Sequence, residues 1–130
     1  MSHFARVRTQ IREREHLVTA LRELHYQCRE GEKLVVRGFL DNKETAEVVV
    51  ETGSKYDIGF RRSAQEYELV ADWWGVERGS SIRQQSFLRQ VNQQYSYLVV
   101  RAQALEQNLI VEEDYVAETG ERVLILSERG

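Results

Sequence analysis

Proline is absent from this chain, cysteine occurs once, and lysine occurs only at Lys33, Lys43 and Lys55. Without proline, turns must be made by Gly, Asn and Asp, which reach or self-stabilise turn conformations. A single cysteine, Cys28, excludes an internal disulfide, and it excludes a self-contained iron–sulfur cluster, which takes about four thiolates. A reducing compartment fits. No apolar run approaches the roughly 20 residues a membrane span needs, and the opening MSHFARVRTQ lacks the apolar core of a signal peptide. A soluble, cytoplasmic protein is expected, with no membrane partner. Charge of one sign is also scarce. The net is −3, with a mildly basic N-terminal third and an acidic remainder. That asymmetry is too weak to imply DNA or an anionic lipid surface.

What is present suits a globular fold. The 130 residues are 42% hydrophobic and 30% charged, the size of one domain spanning 1–130. Such a chain buries more than about 60% of its unfolded surface. Ala5, Val7, Thr9 and Ile11 alternate with Phe4, Arg6, Arg8 and Gln10, which predicts a first strand. Leu17, Val18, Leu21 and Leu24 then repeat at helical spacing, predicting a helix from about Arg12 to His25. Gly31 marks a turn. Strands are predicted over Lys33–Leu40, Ala46–Thr52, Tyr56–Arg62 and Gln65–Trp74, an antiparallel meander.

Ser81 and Gln84 fit a capping box. Behind them Phe87, Val91, Tyr95, Leu98, Ala102, Leu105 and Leu109 step by three and four, predicting a long amphipathic helix. At 1.5 Å per residue it would be roughly 40 Å long, so it must overhang the sheet, bend or break. The run YSYLVV from Tyr95 to Val100, poor in helix formers, is the expected weak point. Asn108 suits its end. Thr119-Gly120 predicts a last hairpin. The fold expected is α+β: a mainly antiparallel sheet of five to seven strands, two helices on one face, in the order β-α-β-β-β-β-α-β-β.

The stretch YDIGFRRSAQEYELVADWWG, Tyr56 to Gly75, carries the best hint of a binding surface. On a strand, Trp73 and Trp74 would point to opposite faces, one into the core and the other outward. With Arg61, Arg62 and Asp72 they form the expected contact site, because Trp and Arg anchor interfaces. The long helix is rich in uncharged amides, among them Gln93 beside Tyr95, a surface cheap to desolvate. It offers a second contact face or a homo-oligomer interface. Glu66, Glu68 and Asp72 allow an alternative, a carboxylate cluster for an enzyme or small-ligand site. A second alternative is single-stranded RNA stacking on Tyr56, Phe60, Tyr67 and Trp74 with Arg61 and Arg62; the glycine-flanked aromatic signature of RNA-recognition domains is missing, so nucleic acid is disfavoured. His25-x-x-Cys28 has metal-like spacing but no second pair, and Cys28 lacks an oxyanion motif. No catalytic constellation, metal site or cofactor motif follows.

Five segments together resemble one family: MSHF, YDIGF, YELVADWWGV, FLRQVNQQYSYLVV and VEEDYVAETGERVLIL. They are similar to the cyanobacterial and plastid family called hypothetical chloroplast open reading frame thirty-five, a domain of unknown function also present in other bacteria. YDIGF paired with DWWG is the specific part. The resemblance covers nearly the whole chain and brings no catalytic residues. It implies an accessory protein of the cytoplasm, or of the stroma if plastid-encoded, linked to photosynthetic or ferredoxin-type redox proteins. Leu98, where the family pattern has histidine, and Asn108, where it has glycine, depart from it. The expected function is therefore non-enzymatic binding or assembly of a protein partner.

Overall fold

The computed structural model describes residues 3–40 and 42–129. Its elements are β1 (Ala5–Arg8), α1 (Arg14–Glu23), β2 (Gln27–Arg37), β3 (Lys43–Glu51), β4 (Asp57–Ser63), β5 (Glu66–Ala71), α2 (Trp73–Gly79), α3 (Gln84–Glu106), β6 (Leu109–Val116) and β7 (Arg122–Glu128). Five strands form one antiparallel sheet in the order β1-β5-β4-β3-β2, and β6 pairs with β7 apart from it. The α+β class and the antiparallel meander are those predicted from periodicity, with the strands divided five and two.

Alternation along each strand decides which side is covered. Val48 and Val50, Ile58 and Phe60, and Tyr67, Leu69 and Ala71 share one face and join one apolar core. Leu17, Val18 and Leu21 of α1 meet them there, as do Trp73 and Val76 of α2 and Phe87, Val91 and Tyr95 of α3. Each large side chain so buried stabilises the fold by about 1.5–3 kcal/mol. The opposite face holds a smaller cluster, Val36, Ala46 and Val49, with Phe4 and Leu34 against it. Gly59 is needed there, because a Cβ would run into Val36.

The helices are tied in by particular contacts. Glu13 gives α1 no side-chain cap. Instead the Tyr95 hydroxyl accepts from the Arg12 and Glu13 amides at 3.0 and 3.1 Å. The 23 residues of α3 are about 35 Å long, longer than the sheet is deep. The first half lies on the core and the second overhangs, where the hairpin packs against it. YSYLVV does not break the helix, because Tyr95 and Tyr97 are buried at 9% and 7% exposure and packing outweighs local propensity.

Four expectations are corrected. The strand foreseen through Trp74 ends at Ala71, and the tryptophans open a third helix, α2. Gly31 is no turn: β2 runs from Gln27 to Arg37, with only an irregularity between Glu30 and Leu34 and a left-handed Lys33. The capping box does not form, as Arg83 occupies the cap and the Gln84 amide donates to Glu77 Oε2 at 2.9 Å. The first strand stops at Arg8. Asn108 has φ 58° and Gly120 φ 90°, the turn conformations expected of them.

Candidate functional site

Helix α2 begins because Asp72 caps it, its carboxylate accepting from the Gly75 amide at 3.3 Å. Adjacent residues on a helix diverge by about 100°, so the two tryptophans separate. Trp73 turns inward and tilts against Phe87, with ring centroids 6.0 Å apart. Trp74 turns outward and is 48% exposed. Its indole is nonetheless held. The Arg78 guanidinium, one turn on, lies 4.5 Å from the ring centroid, a cation–π contact. The Phe39 edge meets it at 6.4 Å and 87°. Gly75 has to be glycine, because a Cβ would overlap the Tyr56 ring, which packs against the helix there.

The neighbouring loop is fixed from beneath. Asp57, its side chain 1% exposed, takes a bidentate pair from Arg37 Nε and Nη2, each at 2.9 Å, and a third bond from the Arg37 amide at 3.0 Å. Those hydrogen bonds push the Arg37 pKa up. Beyond this clamp Phe39 is half-buried, while Leu40 is 82% exposed with φ 55°. A leucine in the left-handed region is strained, and such strain gathers at binding sites. Two open clefts of about 690 and 390 Å³ adjoin here and share Lys55 and Tyr56. Among the described residues lining them, Arg37, Lys43, Lys55 and Arg78 are basic and none is acidic.

The other residues singled out from sequence lie elsewhere. Arg61 sits on the opposite sheet face in an ion-pair chain, 3.0 Å from Glu44 and 2.6 Å from Glu68, with Arg6 also 3.0 Å from Glu44. The bonds from Arg6 and then Arg61 hold the Glu44 carboxyl below its ordinary value. Arg62 lies over the Tyr67 ring and donates to the Arg12 carbonyl at 2.8 Å. Neither arginine joins the Trp74 face. Tyr95 is the cap of α1 described above, and Gln93 donates to the Gly120 carbonyl at 2.8 Å, tying the hairpin turn to α3. Gln90 and Gln94 bond Tyr26 and Glu23, so these amides serve contacts within the chain.

The carboxylate cluster does not assemble. Asp72 is a buried cap, Glu68 pairs with Arg61, and Glu66 lies 3.9 Å from Arg12. Nor does the sheet offer a stacking platform, because Phe60 and Tyr67 are buried beneath the helices. Among the described residues no group of three or more His, Cys, Asp or Glu is placed to hold a metal ion. Burial pushes the Cys28 thiol up, with Arg22 opposing, which keeps it protonated at neutral pH. No described helix is long and apolar enough to cross a membrane.

Of the residues on this face, the sequence singled out Trp74 for a contact and Tyr56 only for base stacking; Phe39, Leu40, Lys43, Lys55 and Arg78 were not marked. The Trp74–Arg78 spacing of four was a usable signal once the segment is read as a helix.

Comparison with known proteins agrees with the motif pattern. A family model described as "Protein of unknown function (DUF1257)" matches residues 20–125. The chain belongs to this family. It is 32% identical over 103 residues to "Uncharacterized protein ycf35" of Guillardia theta, covering 75% of this chain and 73% of that protein. It is 27% identical over 126 residues to the protein of the same description from Cyanophora paradoxa, covering 96% of each. No solved structure matches the chain significantly. Family membership thus supports the resemblance carried by YDIGF and DWWG and leaves the activity to the geometry.

Proposed function

We propose that this protein is a non-enzymatic docking factor whose Trp74 face takes an acidic, apolar segment of a partner protein. The observation that carries this is Trp74 itself: 48% exposed, yet held between Arg78 and Phe39. A rigid, exposed indole loses little entropy on binding and buries a large area. Leu40 and Tyr56 widen the apolar surface, and Lys43, Lys55 and Arg78 rim it, the Arg37 charge being spent on Asp57. Clustered aromatics with arginine are the composition of interface hot spots, and the positive rim selects carboxylates. A cytoplasmic or stromal setting fits. The ferredoxin-type link implied by the resemblance is part of this proposal for a redox partner that presents carboxylates around an apolar contact.

The test is capture from native cells with tagged wild-type protein and a Trp74→Ala variant, at low and raised salt. Trp73 is left intact because it belongs to the core. The variant should remain folded with a modestly lowered melting temperature, since losing the Phe39 and Arg78 contacts costs about 1–2 kcal/mol. A stoichiometric acidic protein captured by the wild type and lost by the folded variant is the expected result. A partner retained by Trp74→Ala moves the site elsewhere. Recovery of nuclease-sensitive RNA instead of protein replaces the reading with nucleic-acid binding, since lysines, arginines and exposed rings serve that too.

A further inference from the structure

The β6–β7 hairpin has two faces of different character. Asp114 points to α3, where it accepts from the Tyr97 hydroxyl and pairs with Arg122 at 3.2 Å. Arg122 in turn stacks 3.9 Å from the Tyr97 ring centroid. The neighbours of Asp114 therefore face outward. Tyr115 lies opposite Val123 and Glu113 opposite Ile125, while Ile110 lies opposite Ser127. No element covers this side among the described residues, and Ile110, Tyr115 and Ile125 are 41%, 48% and 38% exposed. Two-stranded sheets are marginal alone, and an uncovered apolar face invites a partner.

Charge says which one. From Leu109 to Glu121 the sequence has Glu112, Glu113, Asp114, Glu118 and Glu121 and no lysine or arginine. Asp114 is neutralised by Arg122; the other four are exposed. We infer that the outward face of the hairpin is a second docking site, for a polypeptide segment in which Lys or Arg alternates with aliphatic residues. A second copy of this face would set like carboxylates against each other. Nucleic acid and anionic lipid are repelled by the same charges. The site is independent of the Trp74 face and opposite to it in sign.

The experiment uses the full chain and two labelled peptides with identical aliphatic positions, one carrying lysines between them and the other glutamates. Fluorescence anisotropy should show the lysine peptide binding at least about tenfold more tightly and weakening as salt rises. Ile125→Lys and, separately, the double variant Glu112→Gln with Glu113→Gln should each weaken it by roughly tenfold. Trp74→Ala should leave it unchanged. Equal affinity for the two peptides, absence of binding, or full affinity in the glutamine variant overturns the site. So does concentration-dependent self-association abolished by Ile125→Lys, which would assign this face to a second copy.

Discussion

The two ends of this molecule are built on different balances. In the five-stranded body, Leu17, Leu21, Val48, Val50, Ile58, Phe60 and Leu69 are all fully buried. Beyond Ala104, by contrast, no described residue is buried, and the hairpin is fastened to α3 chiefly by Tyr97, Asp114, Arg122 and Gln93. Apolar burial makes the body a cooperative unit, whereas a few polar contacts make the hairpin a separable one. The difference teaches that this chain stabilises one region well and spends the other on exposed surface. The Trp74 face belongs to the rigid region and the acidic face to the looser one.

Four experiments sharpen or break that contrast. Phe60→Ala removes a fully buried ring from the centre of the sheet and should cost about 3–5 kcal/mol. Denaturant titration should show that loss with the sheet and helices unfolding together; a loss below about 1 kcal/mol would mean the body is not one cooperative core. Tyr95→Phe leaves the Arg12 and Glu13 amides without their acceptor and should cost about 1–2 kcal/mol, read in the same titration with protection of α1 amides falling first.

Tyr97→Phe should act on the hairpin alone. Loss of the bond to Asp114 is expected to speed amide exchange across residues 109–128 by roughly tenfold, with the five-stranded sheet unchanged. Equal acceleration in the sheet would show that the two regions open together.

The smallest effect is acid dependence in the body. Glu44 ordinarily titrates at 4.5 and is held lower in the fold by Arg6 and Arg61. The folded state then binds fewer protons than the unfolded one near that value. Its contribution is complete above about pH 4.5 and is lost as pH falls through the lowered value. Acid titration of wild type and Glu44→Gln should give curves that converge below that window, and parallel curves throughout would remove Glu44 from the account.

Much of the architecture was legible because periodicity reports burial. The helical spacing of Leu17, Val18 and Leu21 and the steps of three and four from Phe87 to Tyr95 named helix faces that the structure keeps in the core. The site was less legible. Asp72-Trp73-Trp74 reads as the end of an apolar strand, since Tyr67, Leu69 and Ala71 before it alternate. Asp72 turns the chain into a helix by capping Gly75, a local bond that competes with strand pairing and leaves no periodic trace. Arg61 and Arg62 were the cations the sequence reading assigned to the tryptophans, but pairing of β4 with β5 places Arg61 beside Glu68, while Arg78, four residues after Trp74, covers the indole.

By itself the sequence determined an antiparallel α+β domain, a long second amphipathic helix, a glycine turn at Gly120 and family membership through YDIGF and DWWG. These rest on hydrophobic period and backbone conformation, which are local. Only the tertiary structure decided that Trp74 is the outward tryptophan, that Phe39 and Arg78 hold it and that Lys55 lines the same cleft. It alone decided that Tyr95 caps a helix more than eighty positions away in the chain. Those outcomes depend on strand register and on which helix face meets the sheet, long-range choices that no local period encodes.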